Sequence, residues 1–284
     1  MKSTCLVGIV MLVILTSTGL TGAAIFYGTE RFTGDIYAIN TKMGTVERLV
    51  ELALSAPYIL VAGDSPNGNA FDADNNRFYF ASFEDPGCPA DISVSPSELY
   101  FVDLSNPTAI VWAGTLVGHA SDAAFYGGQY WYIRHGTNDL AAVNVDSSGY
   151  VVGETELYDI WLTDPTTGEE YEPYLAFGDI EFDNEGLLYV TASTRNEVGG
   201  TRSVSGTFNI AAEQFTEIGE NAYWVQIAFG EDGWLYGHAT GTGDFYRVNT
   251  VSGAIMNTVV SGGPQLTDIA SENCGVPKKP NKKK

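Results

Sequence analysis

Oxygen-bearing side chains recur at one place in this sequence. Asp122, Asp179 and Gln226 each stand three residues ahead of a phenylalanine (Phe125, Phe182 and Phe229), and Asp268 holds the same place in a shorter copy, "LTDIAS". Asn67, in "NGNAF", lies one residue earlier relative to its own Phe71. If the fold gathers these positions around an axis, their carboxylate and amide oxygens form the donor set of a hard cation, with Ca2+ favoured. The expected metal ligands are then Asn67, Asp122, Asp179 and Asp268. A second explanation stays open, because a short Asp side chain also accepts hydrogen bonds from backbone N–H groups of an adjacent loop.

The chain has three histidines, His119, His135 and His238, the last two at nearly equivalent places at the end of a strand. Beside a cation that polarises a carbonyl, His135 or His238 would serve as a general base. The alternative is that all three are exposed polar residues of loops. Arg134, Tyr223 and Trp224 fall at the same end of their repeats. Together with Asn67, His135, Gln226 and His238 they form an expected ligand-binding set, since an aromatic ring beside hydrogen-bonding groups suits a sugar or a peptide. Tyr223 and Trp224 equally suit packing between sheets. The stretch "DADNN" at 72–76 begins like a calcium loop, but Arg77 stands where that loop needs Gly and Phe83 where it needs Glu. It reads as a hairpin turn. No G-x-S-x-G, phosphate-binding loop or H-E-x-x-H motif occurs.

The elements that must position these residues are strands. "NGNAFDADNNRFYFAS", "SDAAFYGGQYWYIRH", "GDIEFDNEGLLYVTA" and "VQIAFGEDGWLYGHA" are four full copies of a strand, a tight turn and a second strand, and the truncated "LTDIAS" is a fifth. Their anchor positions lie 54, 57, 47 and 42 residues apart. Such spacing, with several short strands per period, is the signature of a β-propeller. A third strand ending in Asn or Asp follows each full copy ("ELYFVDLSNP", "DLAAVNVDSSG", "DFYRVNTVSG", more weakly "GTFNIAAE"), and then an outer fourth. Residues from 24 onward supply second, third and fourth strands only, and "QLTDIAS" supplies the missing first. The fold class is therefore all-β: a five-bladed β-propeller with four antiparallel strands per blade, its ring closed by a C-terminal strand joining the N-terminal blade. Closing one blade from both ends hides sheet edges.

The motif D-[IA]-[AE]-F-x-x-[DE]-G-x-L-Y resembles that of secreted propellers of the NHL, YVTN and gluconolactonase-like type, over roughly residues 24–271. The resemblance implies the fold, which hosts binding modules, lyases and lactonases alike. Gluconolactonase-like propellers hold a metal at the channel with acidic and amide side chains, and "SPNGNAF" is similar to the Asn-Gly segment that supplies one ligand. Only Asn67 maps directly onto that pattern. Those enzymes have six blades, and the recurring Asp of this chain sits one residue later.

The ends are read apart from the fold. Residues 1–23 carry a short apolar run from Cys5 to Leu15 and a small-residue stretch that predict a secretory signal peptide. Residues 24–275 form the single expected domain, and 276–284 a disordered basic tail. The whole chain has 14 basic and 35 acidic residues; setting aside Lys2 and the five tail lysines leaves 8 against 35. A body this acidic repels nucleic acid and anionic membranes. No transmembrane segment is expected.

In an exported chain Cys88 and Cys274 suggest a disulfide, although the repeat puts them towards opposite ends of the propeller and the bond needs Cα atoms within about 7 Å. Long connections at 53–67, 83–97, 154–176 and 194–205 fall at one end, here called the upper face, where loops on a rigid frame commonly bind. Three functional readings follow. The first is an exported, non-catalytic binding module for an extracellular glycan, peptide or protein, with an axial Ca2+ site. The second is a Ca2+-dependent lactonase- or lyase-like hydrolase acting at the channel mouth. The third is a structural or adhesive surface protein.

Overall fold

The computed structural model describes residues 24–52, 66–82, 96–135, 137, 139–163, 170–171, 174–195, 201–220 and 225–271. The expected signal peptide and basic tail lie outside these residues, as do Tyr223, Trp224, and Cys88 and Cys274 with their expected disulfide. All regular structure among the described residues is β. No helix among them is long and apolar enough to cross a membrane.

Blade one contributes β1 (Ile25–Glu30), β2 (Ile36–Asn40) and β3 (Thr45–Val50). Blade two is β4 (Asn67–Asp72), β5 (Arg77–Ala81), β6 (Glu98–Asp103) and β7 (Ile110–Thr115). Blade three is β8 (Ala120–Tyr126), β9 (Gln129–Arg134), β10 (Asp139–Val145) and β11 (Val151–Asp159), followed by a two-stranded ribbon of β12 (Leu162–Thr163) and β13 (Glu170–Tyr171). Blade four is β14 (Tyr174–Phe182), β15 (Leu188–Arg195), β16 (Thr201–Asn209) and β17 (Gln214–Glu220). Blade five is β18 (Val225–Phe229), β19 (Leu235–Ala239), β20 (Asp244–Val248) and β21 (Ile255–Val260). The last strand, β22 (Leu266–Ser271), pairs antiparallel with β1 and completes blade one on its inner side. The inner strands β22, β4, β8, β14 and β18 neighbour one another in that order and return to β22, so the chain is a closed five-bladed β-propeller.

The recurring phenylalanine has a structural cause. It ends the inner strand and pairs with the first core residue of the second strand: Phe71 with Phe78, Phe125 with Tyr130, Phe182 with Leu188, Phe229 with Leu235. One residue further along the second strand stands an aromatic, Tyr27, Tyr79, Trp131, Tyr189 or Tyr236, and in the first four the ring meets the anchor of the next blade. Tyr27 stacks on Phe71 at 5.0 Å between centroids, Tyr79 on Phe125 at 5.5 Å, and Trp131 and Tyr189 meet Phe182 and Phe229 edge-on at 5.3 and 5.2 Å. Such pairs add to the stabilisation that burial alone supplies. In blade one the anchor position is Ser271. Its hydroxyl donates to the Phe229 carbonyl, and Tyr236 packs instead on Phe26 at 5.0 Å. Among the described residues the joints are unequal, with a larger buried cluster between blades three and four than between blades four and five.

The turns at the lower end follow from their Asx residues. Asp183 Oδ1 accepts the N–H groups of Glu185 and Leu187 at 2.8 and 2.9 Å, with Gly186 at φ 84° closing the turn. Asp146 and Asn249 form equivalent turns on their own following residues. At the upper end the loop expected over 194–205 is largely strand: β15 reaches Arg195 and pairs with Thr201 of β16. "TASTR" and "TRSVSGTF" are rich in Thr, Ser and Val, and two such segments facing each other carry the hairpin as far as Arg195 and Thr201. The 154–176 connection likewise loses its ends to β11 and β14.

Candidate functional site at the propeller axis

Asp179 and Asp268 are 1 % exposed and occupy matching places in β14 and β22. Each bridges to the following blade in the same way. Asp268 Oδ1 accepts the N–H of Ile269 at 2.7 Å and Oδ2 accepts that of Asn69 in blade two at 2.5 Å. Asp179 Oδ1 accepts the N–H of Ile180 at 2.7 Å and Oδ2 that of Ile227 in blade five at 2.6 Å. The Asn69 amide returns the contact, donating to the Asp268 carbonyl at 2.8 Å. Five-fold closure leaves little room at the axis, so these acids also meet each other. The carboxyls of Asp122, Asp179 and Asp268 lie near enough for the Asp268 charge to act on the other two.

Asp122, also buried, takes the Ser121 hydroxyl on Oδ2 at 3.2 Å. Burial raises all three acids: Asp268 to about 7, and Asp122 and Asp179 well above the ordinary carboxylate range. The Asp268 charge pushes Asp122 and Asp179 further. Neighbouring buried carboxyls disfavour each other's charged form. The axis therefore gathers three acids whose charged forms are disfavoured, and the buried Tyr130 phenol beside them donates its O–H to the Gly68 carbonyl at 2.7 Å.

The expected ligand set is only partly gathered. Both oxygens of Asp179 and of Asp268 are taken up by backbone N–H groups, the second of the two explanations the recurrence allowed. A calcium cage needs six to eight oxygens free to face the ion, and among the described residues no three His, Cys, Asp or Glu side chains are arranged as a metal-binding group. In this arrangement Asp179 and Asp268 have a structural use that needs no ion. Blade two has Gly68 at the Asp position, contributing a backbone carbonyl. Asn67, half-buried at the start of β4, has a buried Oδ1 with no hydrogen-bond partner.

Gln226 shares the Asp position but not its direction. Its longer side chain turns along blade five, where Oε1 accepts the Thr240 hydroxyl at 2.7 Å and lies 3.1 Å from His238 Nδ1. His238 Nε2 faces the Pro264 carbonyl at 3.1 Å and is its donor, since a carbonyl only accepts. The ring is 0 % exposed, and burial lowers its pKa to about 4.

The three histidines, read as exposed in one alternative, are all buried. His119 and His135 meet edge-on at 5.7 Å between centroids, and His119 Nδ1 lies 3.3 Å from the Ser97 hydroxyl. Arg134 is equally committed, with Nη2 paired to Glu154 Oε1 and Nη1 3.9 Å from Asp139, while Tyr132 donates to Glu154 Oε2 at 3.0 Å. Sequence reasoning missed Tyr130 and Tyr132, whose aromatic character read as core alone. It also missed the hydroxyl chemistry of Ser97, which carries no spacing signal.

No family model matches the chain, and no curated protein matches it by sequence. Among solved structures, a nidogen/laminin complex is similar at 9 % identity and a TM-score of 0.51, covering 90 % of this chain and 100 % of that one. A 6-phosphogluconolactonase candidate from Bacteroides fragilis is similar at 8 % identity, a TM-score of 0.46, and 89 % and 99 % coverage. TolB from Acinetobacter baumannii is similar at 12 % identity, a TM-score of 0.45, and 89 % and 67 % coverage. At these identities the likeness is one of fold, and what the chain shares with its neighbours is the β-propeller.

Proposed function

We propose that the chain is an exported, non-catalytic binding module that engages an extracellular glycan or protein through its upper face. One observation carries this reading: the side chains best suited to chemistry are turned inward and engaged with the chain itself. The His238 nitrogens meet Gln226 and Pro264, the Asp179 and Asp268 oxygens tie blades together, and Arg134 is paired with Glu154. The frame is rigid and its two ends differ. The lower end is sewn by Asx turns, while the strands flanking 53–65 and 83–95 open at the upper end. Long connections on a rigid scaffold are where recognition commonly resides.

The test compares residues 24–284 with a variant in which 83–95 is replaced by a four-residue Asx turn. Both are applied to a glycan array and to immobilised extracellular-matrix proteins. Binding by the parent that the variant loses at an unchanged thermal midpoint supports the reading. Lactone or ester hydrolysis that Asp179→Asn abolishes would replace it with the hydrolase.

A further inference from the structure

The lower end carries a cleft of about 410 Å3 between the turns of blades four and five. Two copies of one hairpin turn supply its rim, "DNEG" with Asp183 and Glu185 and "GEDG" with Glu231 and Asp232, and Tyr189 and Phe229 line it between them. The cleft is thus acidic at its edges and aromatic within. That combination suits a cation carried on a side chain, because ammonium and guanidinium groups are drawn both to carboxylates and to ring faces. The neighbouring wall already holds one: the Arg247 guanidinium lies 5.4 Å from the Trp234 ring and bonds Asp232 at 3.1 Å.

Both ends of the propeller meet this wall. Ser271, the last described residue, donates its hydroxyl to the carbonyl of Phe229, and Ala24 packs against Gly230. The chain beyond Ser271 reads "ENCGVPKKPNKKK" and holds five lysines within its last seven residues. Seven extended residues separate Ser271 from Lys278, a reach of up to about 25 Å, ample for the adjoining turns.

We propose that the acidic cleft between blades four and five is the seat of this chain's own lysine-rich segment, residues 276–284. The occupant is chosen by charge and tether. The body of the protein is strongly acidic, the segment is its one basic run, and it leaves the fold at Phe229, a residue that lines the cleft. A segment seated there would hold β22, the strand that closes the ring, from its free end. This proposal concerns the opposite end of the propeller from the ligand face and does not depend on it.

The experiment couples lysine amines to carboxylates with a water-soluble carbodiimide on dilute protein of residues 24–284, and maps the amide links by mass spectrometry. Links from the tail lysines to Glu185 and Glu231 within the monomer are expected. They should be lost at about 0.5 M salt, where screening shortens to a few ångströms, and in a Glu185→Gln/Glu231→Gln variant that melts like the parent. Links spread evenly over other turn acids at this end, such as Asp74, Asp103 and Asp146, would overturn the proposal. So would links confined to cross-linked dimers, which make a second copy the occupant, or no tail links at all.

Discussion

The Oδ2 of Asp268 lies 2.5 Å from the backbone nitrogen of Asn69, a residue 199 positions earlier in the chain. This bond fastens the strand that closes the ring to the blade beyond the one it completes. Asp268 also accepts the Ile269 N–H, so its removal strands two buried donors. Each such loss costs about 1–3 kcal/mol. Asp268→Ala is therefore expected to destabilise by about 3 kcal/mol, visible in urea unfolding as a lower midpoint with an unchanged slope. A loss below about 0.5 kcal/mol would mean that the closing bond is not structural.

The axial acids set an unusual pH dependence. The pKa of Asp268 is raised from 3.8 to about 7, and those of Asp122 and Asp179 are raised well above 3.8 too, so between the unfolded and folded values the native state holds protons that the unfolded chain has released. Stability then falls as pH rises, by about 1.4 kcal/mol per pH unit for each extra proton held. His238 acts in the opposite sense. Its pKa is lowered from 6.5 to about 4, so its contribution is complete above the unfolded value and lost as pH falls towards the folded one. The two partly cancel between about pH 4 and 6.5 and leave the acids unopposed above it. Thermal midpoints are expected to fall between about pH 6.5 and 7, and Asp179→Asn, which removes one of the titrating acids, should flatten that fall. A midpoint that rises over this interval would show the cluster to be ionised in the native state.

The legible part of this protein is what repeats. Phe71, Phe125, Phe182 and Phe229 mark the ends of inner strands because each ring must fill the same gap against the preceding blade. Recurrence betrayed them, along with the five-blade count and the closing strand. Asp179 and Asp268 were visible for the same reason, but a repeated Asp does not say whether its oxygens face an ion or a backbone amide. Gln226 shows the limit most clearly. It stands at the Asp position, yet one more methylene lets it reach Thr240 and His238 instead of the axis. Contacts between blades, such as Tyr130 with the Gly68 carbonyl, left no trace in spacing because they join single residues 62 apart.

Calcium offers a direct check on the axis. A cation bound at ~100 times its dissociation constant would stabilise the fold by about 2.7 kcal/mol, a shift of several degrees. Because N–H groups already occupy both oxygens of Asp179 and of Asp268, millimolar Ca2+ and EDTA are expected to give the same thermal midpoint. A rise with Ca2+ that Asp179→Asn abolishes would establish an axial cation and make lactone and ester substrates worth screening.

The unequal joints predict where the ring yields first. Blades three and four share a core containing Trp131, Phe182, Leu188 and Phe208, whereas blades four and five share Ile227, Phe229, Leu235 and Val248 with Tyr189 at their edge. A small void of about 10 Å3 lies in that thinner joint, between Tyr189, Ile218 and Ile227. Truncating a well-packed phenylalanine costs about 3–5 kcal/mol, and less where the site is already loose. Phe182→Ala is expected at the upper end of that range and Phe229→Ala below it. Native-state hydrogen exchange should show the amides of β18 and β19 opening before those of β8 and β9, since regions with fewer buried apolar contacts open at lower cost. Uniform protection across all five blades, with equal costs for the two substitutions, would mean that ring closure makes the propeller a single cooperative unit in which no joint is weaker than another.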